Sequence, residues 1–309
     1  MGTFELKKDT HKDSSRLVFL VIVLVCLSAT FLAEAVGYEN NLVRYIFRQK
    51  NKIPRRGYNQ PSEGQIELLR QAAHFIKNNQ FAGATRCANA VGYSLKSFIH
   101  TNGLTYYVLV SLDPKRRSWG TYVFYLGDDK TNFAMEIPHP VTEVNTSVIG
   151  IKAFIDSQAS FFLLSGSRRG AGPGSDVTLN PDSVFEAIHE EVTTSESPPI
   201  SIQIHGFNNR RYPEIVLTSG SPVVISAMDQ LVARLLDENF TVGIYDGVQY
   251  DHCGATQNVQ AIYTNSIGND FIGIFLNRIV HNSYNMSNLV VEAIKEYTLD
   301  ETSGGETST

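Results

Sequence analysis

A chain of 309 residues with 42% hydrophobic and 18% charged side chains can bury one or two substantial cores, which excludes wholesale disorder and collagen-like or coiled-coil architectures. The formal net charge of −5 argues against a protein whose main task is coating nucleic acid, and no nucleic-acid partner is expected. The charge is unevenly placed: residues 40–56 hold six basic side chains and no acid, whereas residues 57–309 hold 16 Lys and Arg against 26 Asp and Glu, a net of −10.

The one long apolar run is 17–33, preceded by Lys7, Lys8, Lys12 and Arg16 and followed by Ala33, Glu34 and Ala35. The pattern reads as a secretory signal cleaved after Ala35. An uncleaved anchor in 1–35 is the alternative, since 17 residues is near the lower limit for a bilayer span, and only then is a membrane a partner. A secreted or extracellular chain is therefore expected, with a single-pass anchored one as the alternative. The sequons at Asn145, Asn239 and Asn285 suit a glycoprotein. Outside the leader only Cys87 and Cys253 remain, a pair that could form one disulfide. Residues 36–60 read as a basic linker or a pro-segment.

From Pro61 the chain reads as one domain to residue 298. Ser62 and Gln65 give a capping signature for a helix over 63–79, with Ile66, Leu69, Ala73 and Ile76 as its apolar stripe. Strands are expected at 105–112 and 119–126, joined by a polar turn that begins Asp113-Pro114. Alternation follows: strand 132–138, helix 147–157, strand 160–165, helix 181–193, strands 199–204 and 214–219, helix 223–238. Strands 240–245, 259–264 and 271–276 and a helix at 287–298 complete it. Strands separated by helices predict an α/β fold, a mixed and mainly parallel sheet with helices on both faces. The acidic, Gly/Ser/Thr-rich tail 299–309 is expected to be disordered.

In such sheets functional groups gather past the carboxyl ends of strands. There lie Glu136 in the last residues of the strand at 132–138 with His139 and Glu143 beyond it, Arg168, Arg169 and Asp176 after 160–165, and His205 after 199–204. Two neutral imidazoles with one carboxylate form the usual donor set of a catalytic zinc. His139, Glu143 and His205 supply it, and the two histidines are expected to approach closely enough to share the metal. Histidines that merely hydrogen-bond a turn are the competing reading. Arg168 and Arg169 suit bidentate capture of a carboxylate, with an ordinary basic surface pair as the alternative. Asp251 and His252 could position a base or a substrate hydroxyl; His189 beside the stripe of 181–193 reads as structural. No Gly-x-Ser-x-Gly elbow is present, which speaks against a serine hydrolase.

The ordered set Trp119-Gly120-x-Tyr122, Glu136-x-Pro-His139-Pro140, Gly166-x-Arg168-Arg169, Asn180-x-Asp-Ser-Val-Phe185, Gln203-x-His205-Gly206-Phe207 and Asn258-x-Gln260 resembles secreted bacterial proteins related to N-formylglutamate amidohydrolases and zinc carboxypeptidases. The similarity spans roughly residues 105–280. It implies a zinc-dependent amide or peptide hydrolase fold, a small-molecule or peptide substrate bearing a carboxylate, and metal ligands at His139, His205 and Glu143. The chain departs from that pattern twice. Ser167 stands where relatives often have a His, and the strand at 271–276 lacks the catalytic Glu. Either Glu136 or Asp176 takes over the proton transfer, or the chain is a non-catalytic binding protein on a degenerate hydrolase fold.

Overall fold

The computed structural model describes residues 40–195 and 197–304; the expected leader and its cleavage site lie outside the described residues. The basic stretch opens with a helix, α1 (Leu42–Asn51), capped by the Asn41 side chain and burying Leu42, Ile46 and Gln49 at helical spacing. Its Leu42 amide donates to His100 Nδ1 at 3.0 Å, so the expected linker or pro-segment contains an element packed into the domain. Helix α2 (Glu63–Lys77) carries the capping box of Ser62 and Gln65, and α3 (Phe81–Ala90) follows it. Strands β1 (Tyr93–Ile99), β2 (Thr105–Ser111) and β3 (Thr121–Tyr125) form an antiparallel meander.

The central part alternates as the periodicity predicts: β4 (Thr131–Ile137), α4 (Thr146–Asp156), β5 (Ala159–Leu164), α5 (Val184–Thr193), β6 (Ile200–Phe207), β7 (Ile215–Thr218), α6 (Ser226–Asp237) and β8 (Val242–Ile244). A 3₁₀ turn at Asp251–Cys253 leads to α7 (Val259–Ser266), β9 (Phe271–Asn277), α8 (Arg278–Asn282) and α9 (Tyr284–Gly304). Two expectations are corrected here. Residues 259–264 are helical, because the Asn258 side chain accepts from the amides of Gln260 and Ala261 and so starts a helix, whose buried Gln260, Ala261 and Thr264 repeat at helical spacing. The tail expected to be disordered from Leu299 continues α9 as far as Gly304, anchored by Arg234, which pairs with Asp300 at 2.5 Å.

Among the described residues the nine strands form one sheet in the order β1-β2-β3-β5-β4-β6-β9-β7-β8. Its centre, β5-β4-β6-β9, is parallel, as is the β7-β8 edge; the other pairings are antiparallel. Successive strand residues face opposite sides. Phe133, Met135 and Ile137 of β4, Ile202 and Ile204 of β6, and Ile272, Ile274 and Leu276 of β9 point into one apolar core, which Ala153 and Phe154 of α4, Leu231 of α6 and Ile294 of α9 complete. Residues between them point the other way, towards α2, α3 and α5. That second face carries Glu136, Gln203 and His205, all buried.

Cys87 and Cys253 are free thiols, and the expected disulfide is not formed. Cys87 sits on α3, packed against the core beneath α2 and α5, while Cys253 is buried with Val216 of β7 and Phe275 of β9.

Candidate metal centre

Strand register builds the site. Glu136 of β4 pairs with Gln203 of β6, which pairs with Gly273 of β9. One row nearer the carboxyl ends, His205 pairs with Phe275, whose ring stacks on the imidazole with centroids 4.5 Å apart and planes at 8°. Beyond β4, the Glu143 amide donates to the His139 carbonyl at 3.0 Å. This one-turn loop brings both side chains to the same side. The two imidazole centroids lie 5.5 Å apart.

Glu143 sits between them. Its Oε1 is 2.8 Å from His139 Nδ1, and its Oε2 is 3.4 Å from His205 Nδ1 while accepting the Gly206 amide at 2.9 Å. Gly206 has no room to spare, since a Cβ there would stand 3.2 Å from both Glu143 Cβ and His281 Nε2. One ligand atom from each of His139, Glu143 and His205 lies within 4.8 Å of the other two. The remote nitrogens are also held. His139 Nε2 meets Asp176 Oδ1 at 2.8 Å, and His205 Nε2 meets Gln203 Oε1 at 2.8 Å.

The electrostatics follow from this packing. Burial disfavours a charged His139, yet its bonds to Asp176 and Glu143 outweigh burial and push its pKa up to about 9. Burial would raise Glu143 and Asp176, but the histidines opposite them, with Thr178 and Arg169 also acting on Asp176, hold both well below the ordinary carboxylate range.

The cleft above the trio has a volume of about 450 Å³ and is lined by His139, Glu143, Arg169, His205, Asp251, His252 and Asn258 among others. Arg169 reaches in from the loop after β5, its Nε 3.0 Å from Asp176 Oδ2. Arg168 is exposed and not among the cleft-lining residues. Ser167 is buried and ties the loop down through Ser175 O at 2.6 Å.

The two residues expected to shuttle protons are both engaged elsewhere. Glu136 is fully buried below the cleft, with Oε1 2.6 Å from His189 Nδ1 and Oε2 accepting from Gln203 at 2.9 Å. Its position one row deeper than His205 keeps it from a ligand in the cleft. Asp176 orients His139 and pairs with Arg169. His189, read from sequence as structural, is the ionic partner of Glu136 and also meets Thr264 Oγ1 at 2.9 Å. The roles of Gln203 and Asn258 escaped the sequence reading, although strand alternation places Gln203 on the face of His205, two residues away.

No protein-family model matches the sequence, and no curated protein matches it. Among solved structures, the chain is similar to a bacteriophage poly-gamma-glutamate hydrolase at 10% identity and TM-score 0.39, covering 59% of this chain and 90% of that one. It is similar to an N-formylglutamate amidohydrolase from Ralstonia eutropha at 10% identity and TM-score 0.36, over 61% and 99% of the two chains. A metallo-carboxypeptidase from Burkholderia cenocepacia matches at 10% identity and TM-score 0.38, over 73% and 69%. These likenesses are remote, and the chemistry of the site rests on its own side chains.

Proposed function

We propose that the chain is a zinc-dependent hydrolase of an amide or peptide bond close to a carboxylate. The supporting observation is the convergence of two imidazole Nδ1 atoms and the Glu143 carboxylate in one cleft. The donor set fits zinc, which takes His nitrogens and carboxylate oxygens and keeps a position open at catalytic sites. Its surroundings fit as well, because metal-bound His usually donates its other ring N–H to a carboxylate or carbonyl oxygen, the parts taken here by Asp176 and Gln203. A zinc ion held there would supply a Lewis acid for a carbonyl oxygen and a water made acidic near neutral pH.

The chain's own residues supply the rest. Arg169 is half exposed and meets Asp176 through Nε, leaving guanidinium N–H groups to orient a ligand carboxylate. His252 lines the same cleft, is exposed, and is placed to pass a proton to a leaving amine, beside an Asp251 carboxylate that accepts the Tyr212 hydroxyl at 2.6 Å. A second reading, a binding protein without turnover, is favoured by two observations: β9 carries no carboxylate, and Glu136 is buried beneath the cleft.

The test is release of free amine from N-acyl amino acids and short acidic peptides by the zinc-loaded full chain. We expect turnover that His205→Ala abolishes and a KM that Arg169→Ala raises. Saturable binding with no turnover selects the second reading; neither zinc uptake nor binding overturns both. We also place the mature chain outside the cytoplasm, on the basis of the run at 17–33 and its flanks. The sequons Asn239 and Asn285 are exposed and open to a glycan, whereas Asn145 donates to His281 O at 2.9 Å.

A further inference from the structure

We infer that Gln203, its amide held by Asn258, Glu136 and Gln260, fixes the tautomer of His205 and so presents a bare Nδ1 to the metal; this rests on the zinc site proposed above. The direction of each bond follows from groups whose donor or acceptor role is fixed. Asn258 Oδ1 accepts two backbone N–H groups at the start of α7, from Gln260 at 3.0 Å and Ala261 at 3.2 Å. Rotating its amide would set NH₂ against two donors, so Nδ2 must face away from the helix. It faces Gln203 Oε1, 2.5 Å distant.

Gln203 is pinned from its other end too. Its Nε2 donates to Glu136 Oε2 at 2.9 Å and to Gln260 Oε1 at 3.3 Å. Gln260 cannot turn its amide either, because its Nε2 donates to the backbone carbonyl of Val177 at 3.1 Å and to Glu186 at 2.5 Å. Gln203 therefore offers an oxygen, never an N–H, to His205 Nε2 at 2.8 Å. That nitrogen must carry the proton. The competing bond, Nδ1–H to Glu143 Oε2, would span 3.4 Å to an oxygen that already accepts the Gly206 amide. With the proton on Nε2, the lone pair of Nδ1 points at Glu143 and into the cradle.

The helix cap of α7 thus acts as a positioning device for a ligand on β6. Such outer partners of metal-binding His residues typically govern affinity about 10–100-fold.

The test reads the tautomer directly, by ¹⁵N-histidine NMR of the metal-free full chain at pH 8, with His205 assigned by its loss in His205→Asn. We expect the neutral ring to carry its proton on Nε2; a neutral ring with its proton on Nδ1 overturns the inference. Gln203→Met removes the acceptor at similar volume and should weaken zinc binding about 10–100-fold. A mixed tautomer then supports the inference, and a pure Nε2–H form refutes it. Failure of the wild-type chain to bind zinc would sink the proposed function while leaving the tautomer measurement intact.

Discussion

Both ring nitrogens of His139 face carboxylates, Asp176 on one side and Glu143 on the other, so the metal-free protein holds this ring protonated up to about pH 9. A metal ligand must be deprotonated, and binding therefore releases that proton. Apparent zinc affinity should rise about tenfold per pH unit below about 9 and level off above it. Calorimetry at pH 7.5 in buffers of different ionisation enthalpy should read about one proton released from His139, and no release would contradict this placement. Asp176→Asn withdraws the charge behind the ring and should weaken zinc binding about 10–100-fold, read by competition with a chelating dye. Much of this site is legible in the sequence, because His139, Glu143, Arg169 and Asp176 follow strand ends and His205 stands in the last residues of β6. Glu136 misleads because it too stands near a strand end, yet it sits one pairing row deeper than His205. Gln203 and Asn258 carry no charge and belong to no familiar ligand set, so only the fold exposes what they do.

At the scale of elements, the close approach of β6 to the loop after β4 depends on Gly206. Gly206→Ala would place a methyl 3.2 Å from Glu143 Cβ and His281 Nε2, displacing Glu143 and loosening its bond from the Gly206 amide. Zinc affinity should fall severalfold, with a stability loss of about 1–3 kcal/mol from overpacking, both measurable on one purified variant. The junction of α5 and α7 makes a separate prediction. Burial, partly opposed by His189 and Gln260, pushes Glu186 from 4.5 up to about 7. Between those values the folded chain keeps a proton that the unfolded chain has lost, so this group makes stability fall as pH rises through the window. Glu186→Gln should flatten that part of the slope, seen in denaturant midpoints at pH 5 and 7. The helix α7 itself is what periodicity missed. Val259, Ile262 and Tyr263 favour strand by composition, and the deciding signal is the two-amide cap at Asn258, a local bond that apolar patterning does not register.

For the whole molecule, the alternation of helices and strands predicts the layered sheet, while β1 and α3 escape because Lys96 and Ser97 interrupt one pattern and the other is short and Ala-rich. The cysteine pairing fails on geometry of a larger kind: α3 packs on the face of α2 and α5, whereas Cys253 lies in a small cluster with Val216 and Phe275. Cys87 and Cys253 should therefore both titrate as free thiols after unfolding. In the folded protein Cys87 should react first, since burial pushes the Cys253 thiol up to about 12 and only the thiolate is nucleophilic. The metal centre is tested most directly by an anomalous difference map at the zinc absorption edge from crystals grown with zinc and no affinity tag. One peak is expected about 2.0–2.1 Å from Nδ1 of both His139 and His205, with Glu143 completing the protein ligands. A zinc-replete crystal with no peak there, or with its peak at Asp251 and His252, would contradict it.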